Sequence, residues 1–205
     1  GGLNGQGWQR LYGLPAIAEQ GKNITRTSDG GFLVRGDATD GNTAHSILLR
    51  LDIDGDTLWT YETGPYPTGG NLSDRALVGP NGDVYSVFYD SLIRFDAGGQ
   101  VLQAIHAGGF RTLGLQSNGP VLWQGVNTDD TVKLRKYSFD GSLLWEKKHP
   151  IDGLVRDIAL APDQRILVLY TTFNSSNLAI YKADGDFQTT RNYGLAVYFN
   201  LTFDA

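Results

Sequence analysis

One block of sequence returns four times in this chain, and each return ends in a glycine turn. The segments leading into the turns read Leu48-Leu49-Arg50-Leu51-Asp52, Leu92-Ile93-Arg94-Phe95-Asp96, Leu134-Arg135-Lys136-Tyr137-Ser138 and Leu178-Ala179-Ile180-Tyr181-Lys182. The turns carry Gly55, Gly99, Gly141 and Gly185, spaced 44, 42 and 44 residues apart. A leucine stands seven residues before each glycine, and a leucine or an aromatic four before it. A unit of this length cannot bury its apolar face alone, so successive units must stack on one another.

Each unit divides into four short strands, a to d. Strand a is small and apolar: Ile24-Thr25-Arg26-Thr27, Ala76-Leu77-Val78-Gly79, Leu113-Gly114-Leu115-Gln116 and Ile158-Ala159-Leu160-Ala161. Ser28-Asp29-Gly30-Gly31, Pro80-Asn81-Gly82-Asp83, Ser117-Asn118-Gly119 and Pro162-Asp163-Gln164 then read as tight turns, with Asn-Gly and Asp-Gly pairs suited to two-residue hairpins. Strand b begins at Phe32, Val84, Val121 and Ile166, strand c is the leucine-led segment, and strand d follows the second glycine turn. No segment keeps helical apolar spacing over 11 residues without a Gly or Pro. The expected fold is all-β: a β-propeller of four-stranded antiparallel blades over about 22–62, 74–105, 110–148 and 155–190. Residues 7–13 read as a lone strand d and 197–205 as a lone strand a, so residues 1–205 form one propeller domain or part of one. Of the accounts of these ends, a fragment of a larger propeller is favoured over strand exchange between chains.

The run Ser28-Asp29-Gly30-Gly31-Phe32, followed by Leu49-Arg50-Leu51-Asp52-Ile53-Asp54-Gly55-Asp56-Thr57-Leu58-Trp59, resembles the blade repeat of secreted bacterial and archaeal β-propellers. Those repeats are similar in pattern to the quinoprotein-like blades, which also end in a turn and a tryptophan. The resemblance covers nearly the whole chain and implies a propeller fold rather than an activity. Trp59 and Trp145 keep the terminal aromatic, whereas Gln103 and Thr189 replace it. Quinone-dependent members carry Thr-Gly in the turn before the tryptophan. Here the turns read Asp-Gly or Gly-Gly, so no quinone and no other cofactor is expected.

Composition removes several classes of function. The formal net charge of −5 leaves no basic stripe for phosphate, which argues against a nucleic-acid partner. Apolar runs such as Ile166-Leu167-Val168-Leu169-Tyr170 fall far short of the roughly 20 residues of a membrane span. With no cysteine there is no disulfide, thiolate ligand or cysteine nucleophile. Asn-x-Ser/Thr sequons at Asn23, Asn71, Asn174 and Asn200 are candidate glycosylation sites. Together with the composition they point to a secreted, extracellular protein.

The a–b and c–d turns are short, so variable loops gather at the opposite end, where function usually resides. Asp40 and His45 (in the run 36–45), Tyr66 (in 64–71), Asp129 and Asp130 (in 127–130) and Phe173 (in 172–177) are the candidate contacts for a protein or glycan partner. Asp52, Asp54 and Asp56 alternate around a turn, but Gly55 precedes Asp56, where an EF-hand loop has its glycine after the third aspartate, and Thr63 stands at position 12 in place of glutamate, so no metal site is expected. His45, His106 and His149 show no spacing that specifies a cluster, and no nucleophile or phosphate motif occurs. Recurrence of Trp59 and Trp145 at one repeat position indicates packing between blades. These readings converge on a non-enzymatic propeller that binds or assembles at a cell surface or in an extracellular structure. Its edge strands are open to self-association. The alternatives are a polysaccharide hydrolase or lyase using Asp40, Asp129 and Asp130, or a lectin-like module.

Overall fold

The computed structural model describes residues 18–40, 43–67, 75–88, 91–106, 110–116, 119–124, 132–149 and 153–194. They form two compact units, one within Gly1–Gly69 and the other within Gly70–Ala205.

The first unit holds one antiparallel sheet. Its strands run in order β1 (Ala18–Arg26), β2 (Phe32–Asp40), β3 (Thr43–Leu51) and β4 (Thr57–Glu62), and the short β5 (Tyr66–Pro67) pairs with the start of β3. The second unit holds three such sheets. The second sheet comprises β6 (Ala76–Val78), β7 (Val84–Phe88), β8 (Ser91–Phe95) and β9 (Val101–His106). The third comprises β10 (Phe110–Gln116), β11 (Gly119–Gln124), β12 (Val132–Tyr137) and β13 (Leu143–His149). The fourth comprises β14 (Leu154–Leu160), β15 (Ile166–Thr171), β16 (Ser176–Tyr181) and β17 (Phe187–Asn192). Each is a simple meander in which consecutive strands pair.

The hairpins share one construction, and it differs from the two-residue hairpins expected from sequence. In the first, Gly30 N donates to Thr27 O and Thr27 N donates to Gly31 O, at 3.0 and 2.9 Å; the same pair of bonds closes the turns at Gly55, Gly82, Gly99, Gly141, Gln164 and Gly185. Only the third loop residue has positive φ, between 80° and 89° at the six glycines. A type I′ turn needs positive φ at two residues; one left-handed residue after a type I turn makes a three-residue loop with a bulge. Aspartates fit it because their carboxylates bond backbone within the turn. Asp52 Oδ1, for instance, accepts from Asp54 N and Asp56 N at 2.9 and 2.8 Å. Of the three aspartates that alternate around this turn, Asp52 is thus its cap.

Within the second unit the sheets stack face to face through their inner strands, β10 packing against β6 and β7 on one side and β14 on the other. Tyr85, Val87 and Leu92 of the second sheet bury against Leu113 and Tyr137 of the third. Leu134 of the third sheet buries against Ile158, Ile166, Val168, Ala179 and Tyr181 of the fourth. Full burial of each such side chain is worth about 1.5–3 kcal/mol. Leu48, Leu92 and Leu134, the leucines seven before the glycine, are buried as the repeat requires. Leu178 is only half-buried. Strand alternation explains the exception: Ala179 and Tyr181 face the third sheet, so Leu178 faces away from it.

Position four after each glycine couples the sheets in a second way. The Trp145 ring lies on Gly185 of the fourth sheet, so close that a Cβ there would stand 2.7 Å from it. Gln103, at the same position of the second sheet, spans to the third by donating from Nε2 to Asp140 O at 2.8 Å. Packing between sheets is therefore the role of Trp145.

Candidate functional site

The polar residues of the first sheet gather where β2, β3 and β5 meet. The run 36–45 does not form the long loop expected from its composition. Backbone pairing continues from Gly36 opposite Ile47 to Asp40 opposite Thr43, so His45 is a strand residue. Tyr66 is likewise held in β5, which pairs with Thr43 and Ala44.

From these strands two hydroxyls converge on one carboxylate oxygen. Ser46 Oγ donates to Asp37 Oδ1 at 3.0 Å, Tyr66 OH donates to the same oxygen at 3.3 Å, and the hydroxyls lie 2.8 Å apart. Arg35, almost completely buried, places Nη1 3.7 Å from Asp37 Oδ1 and donates to Gly36 O and Ile47 O. Burial pushes the Tyr66 phenol above its ordinary value, outweighing the contact with the Ser46 hydroxyl that lowers it. Tyr66 therefore stays protonated as a donor. Ser46 is 0% exposed. A hydroxyl sealed in this way cannot attack a substrate, and the triad-like trio serves to clamp β5 onto β3.

His45 borders this network on the same strand. Its Nδ1 lies 3.1 Å from Glu62 Oε1 and 3.3 Å from Thr63 O. Thr63 in turn accepts from Ser46 N through Oγ1 and bonds Ser46 O through its own N–H. Glu62 also lines an open cleft of about 440 Å³ over one face of the sheet, with Val34, Ile47 and Leu49 as its apolar floor and Glu19 and Asp37 among its acidic residues.

Phe173 occupies a different setting in the second unit. The β15–β16 loop is braced by Thr172, whose Oγ1 accepts from Asn174 N and Ser175 N and whose N–H donates to Ser175 O. On that brace Phe173 is 97% exposed. A rigid loop presenting a bare aromatic suits binding, because ordering the loop adds little to the entropy of association.

The remaining expected residues divide as follows. Asp40 ends β2. Asp129, Asp130, Asn71 and Asn200 lie outside the described residues. Asn174 is exposed, and Asn23 Oδ1 accepts from Thr25 Oγ1 at 3.0 Å in β1. His106 Nδ1 pairs with Ser91 Oγ at 2.6 Å, and His149 stacks on Tyr181 and Phe187, so each described histidine has separate partners. Among the described residues no three His, Cys, Asp or Glu are placed to hold a metal ion, and no helix is long and apolar enough to cross a membrane.

Sequence reasoning missed Asp37, Ser46 and Glu62. It also missed an ion pair on the inner strands of the second unit. Arg75 Nη2 meets Asp157 Oδ2 at 2.6 Å and Nη1 donates to Ile158 O, while Asp157 Oδ1 accepts from Ile158 N. Asp157 is buried, so the arginine offsets the desolvation of its charge. Asp37 lay in the run 36–45 that composition assigns to a loop, Ser46 follows directly on it, and nothing local marks Asp157 as paired.

The sheets define a propeller-like, all-β repeat fold, and comparison with solved structures agrees. A protein of unknown function from Bacteroides caccae superposes with a TM-score of 0.63 at 12% identity, over 89% of this chain and 70% of that one. The Pan2 WD40 domain of Neurospora crassa gives 0.58 at 14% identity, over 83% of this chain and 49% of that one. Virginiamycin B lyase from Staphylococcus aureus gives 0.53 at 14%, over 84% and 72%. At these identities the likeness concerns the fold alone. No protein-family model matches the sequence, and no curated protein matches it significantly.

Proposed function

We propose that this chain is a non-catalytic propeller-like module for binding or assembly, working in an extracellular or cell-surface setting. The observation that carries the reading is the contrast between its polar groups and its loop tip. The one serine held between a tyrosine and an aspartate in the first sheet is sealed from solvent, whereas Phe173 stands fully presented on a braced loop. Aromatic anchors on rigid frames account for a large share of binding energy in many interfaces. The extracellular setting is supported by the four sequons. The fold is neutral on activity, since it serves a WD40 domain and a lyase alike.

The test is a panel of immobilised polysaccharides, glycans and extracellular-matrix proteins, read for both binding and product release. The expected result is binding that weakens about tenfold in Phe173→Ala, as loss of an anchor side chain implies, with an unchanged melting temperature and no product. Release of reducing ends or unsaturated sugars, abolished in Asp129→Asn/Asp130→Asn, would replace this reading with a polysaccharide hydrolase or lyase. Saturable binding of several sugars per chain without a role for Phe173 would favour a lectin-like module.

A further inference from the structure

The a–b turn of the second sheet holds a reactive pair of residues that lies apart from the polar network of the first sheet. Among the described asparagines (Asn23, Asn81, Asn174, Asn177 and Asn192), only Asn81 precedes a glycine. Asn81 is exposed at the tip of the hairpin between β6 and β7. The space beside Gly82 is open, with nothing within 4 Å of the position a Cβ would take. An unhindered peptide nitrogen just after an asparagine is the arrangement in which the side-chain amide is lost most readily. Gly82 N donates to Gly79 O at 3.0 Å, so attack needs this turn to open, a local event at the end of a hairpin.

Around Asn81 the repeat departs from its own rule. Aspartate stands at this position before Gly30, Gly55, Gly141 and Gly185, as Asp29, Asp54, Asp140 and Asp184. Where the residue after the glycine is also aspartate, as at Asp56 and Asp186, that second carboxylate is exposed. Asp83 is instead 8% exposed, and its Oδ2 accepts from Asn81 Nδ2 at 2.7 Å and from Arg94 Nε at 2.6 Å. Arg94 also donates through Nη1 to Phe139 O of the third sheet. The Asn81 amide is thus one member of a polar joint between two sheets.

We propose that Asn81 is a self-converting modification site and that its conversion loosens this joint. Gly82 N bonds to Asn81 Cγ as the Cγ–Nδ2 bond breaks. Ammonia leaves with the hydrogen of Gly82 N, and a succinimide ring remains. Water then opens the ring at one of two bonds. Cleavage between Gly82 N and Cγ leaves aspartate. Cleavage between Gly82 N and the main-chain carbonyl leaves isoaspartate, with the chain running through Cβ and Cγ. Either product replaces a donor to Asp83 with a second carboxylate, and the two like charges then compete for Arg94. Isoaspartate also lengthens the backbone of a loop closed by Gly79 N donating to Asp83 O at 2.8 Å. Water is the only co-reactant, so altered chains accumulate with time, whether or not Phe173 binds a ligand.

The test is incubation of the purified chain in warm, mildly alkaline buffer, followed by peptide mapping and thermal unfolding. The tryptic peptide 76–94 contains Asn81 and no other asparagine or glutamine, so a deamidation mass gain there reports this site alone. The expected result is two heavier forms of that peptide, isoaspartate and aspartate, and a melting temperature that falls as their share rises. Freshly made Asn81→Asp should melt about 2–4 °C below wild type, as the loss of one donor to a buried carboxylate implies. Asn81→Ser keeps a hydroxyl that can cap the turn and should hold its melting temperature through the same incubation. A native chain whose 76–94 peptide stays unconverted overturns the proposal. Conversion without any change in melting overturns the loosening of the joint, as does an Asn81→Ser chain that loses stability in step with wild type.

Discussion

At the scale of single residues, the turns state most plainly what the backbone demands. Gln164 sits at φ 67°, where the equivalent turns place Gly30 and Gly82. A side chain in the left-handed region costs about 1–2 kcal/mol, partly returned by the lower entropy of the unfolded chain. Gln164→Gly is expected to raise stability by up to about 1 kcal/mol in urea unfolding; a loss would mean that the glutamine side chain outweighs its backbone. Gly185→Ala runs the other way. It combines positive φ with a Cβ pressed against Trp145, and a loss of about 2–3 kcal/mol is expected. The glycines were legible in the sequence through their regular return. The packing of Trp145 between sheets was legible from its repeat position, but its landing on Gly185 was not, because the glycine belongs to another sheet and no local pattern records that approach. His149 gives a pH dependence of the same kind. Burial against Tyr181 and Phe187 holds its pKa below the ordinary 6.5. The unfolded chain therefore takes up this proton first on acidification, and stability present above about pH 6.5 is lost as pH falls below it. The neighbouring pair Lys147–Asp186, 2.8 Å apart, stays ionised there, its carboxyl held low and its ammonium held high by the shared hydrogen bond. The melting temperature should drop more between pH 7 and 5 in the wild type than in His149→Phe; parallel curves would remove His149 as the cause.

Strands show where a reading of pattern succeeds and where it stops. Leucine and aromatic spacing located strand c in all four sheets, since alternation along a half-buried strand is a local property. The polar run 36–45 misled, because its aspartates, threonines and glycine look like a loop while its backbone continues the ladder. Its Asp37 is held by Ser46 and by Tyr66, the latter 29 residues on, partners that composition cannot name. The cation of strand c was visible as a residue but not as a connector. Arg94 bonds Asp83 in its own sheet through Nε at 2.6 Å and donates through Nη1 to Phe139 O of the third sheet at the same distance. Arg94→Met keeps the aliphatic stem and leaves a buried carboxylate without this partner, and a loss of about 1–3 kcal/mol is expected. Arg165 and Asp163 make an equally short pair in the open. Arg165→Met should change stability by less than about 1 kcal/mol. Equal losses at the two sites in thermal unfolding would sink the claim that the connection between sheets is what matters.

Across the second unit, the middle sheet packs against both the second and the fourth through β10. Stability in stacked repeats is close to a sum of neighbour contacts. Amide exchange should therefore be slowest in β10, packed between β6, β7 and β14, and fastest in β17. Uniform protection would indicate a single cooperative block. The Arg75–Asp157 pair adds a connection of another order, because it ties the second sheet to the fourth past the one between them. Links between adjacent members leave a row free to bend like a hinge at each joint. A tie between alternate members fixes a chord, and a chord of set length fixes the radius of the arc. The span from the second sheet to the fourth is thereby tied to one arginine at the mouth of β6.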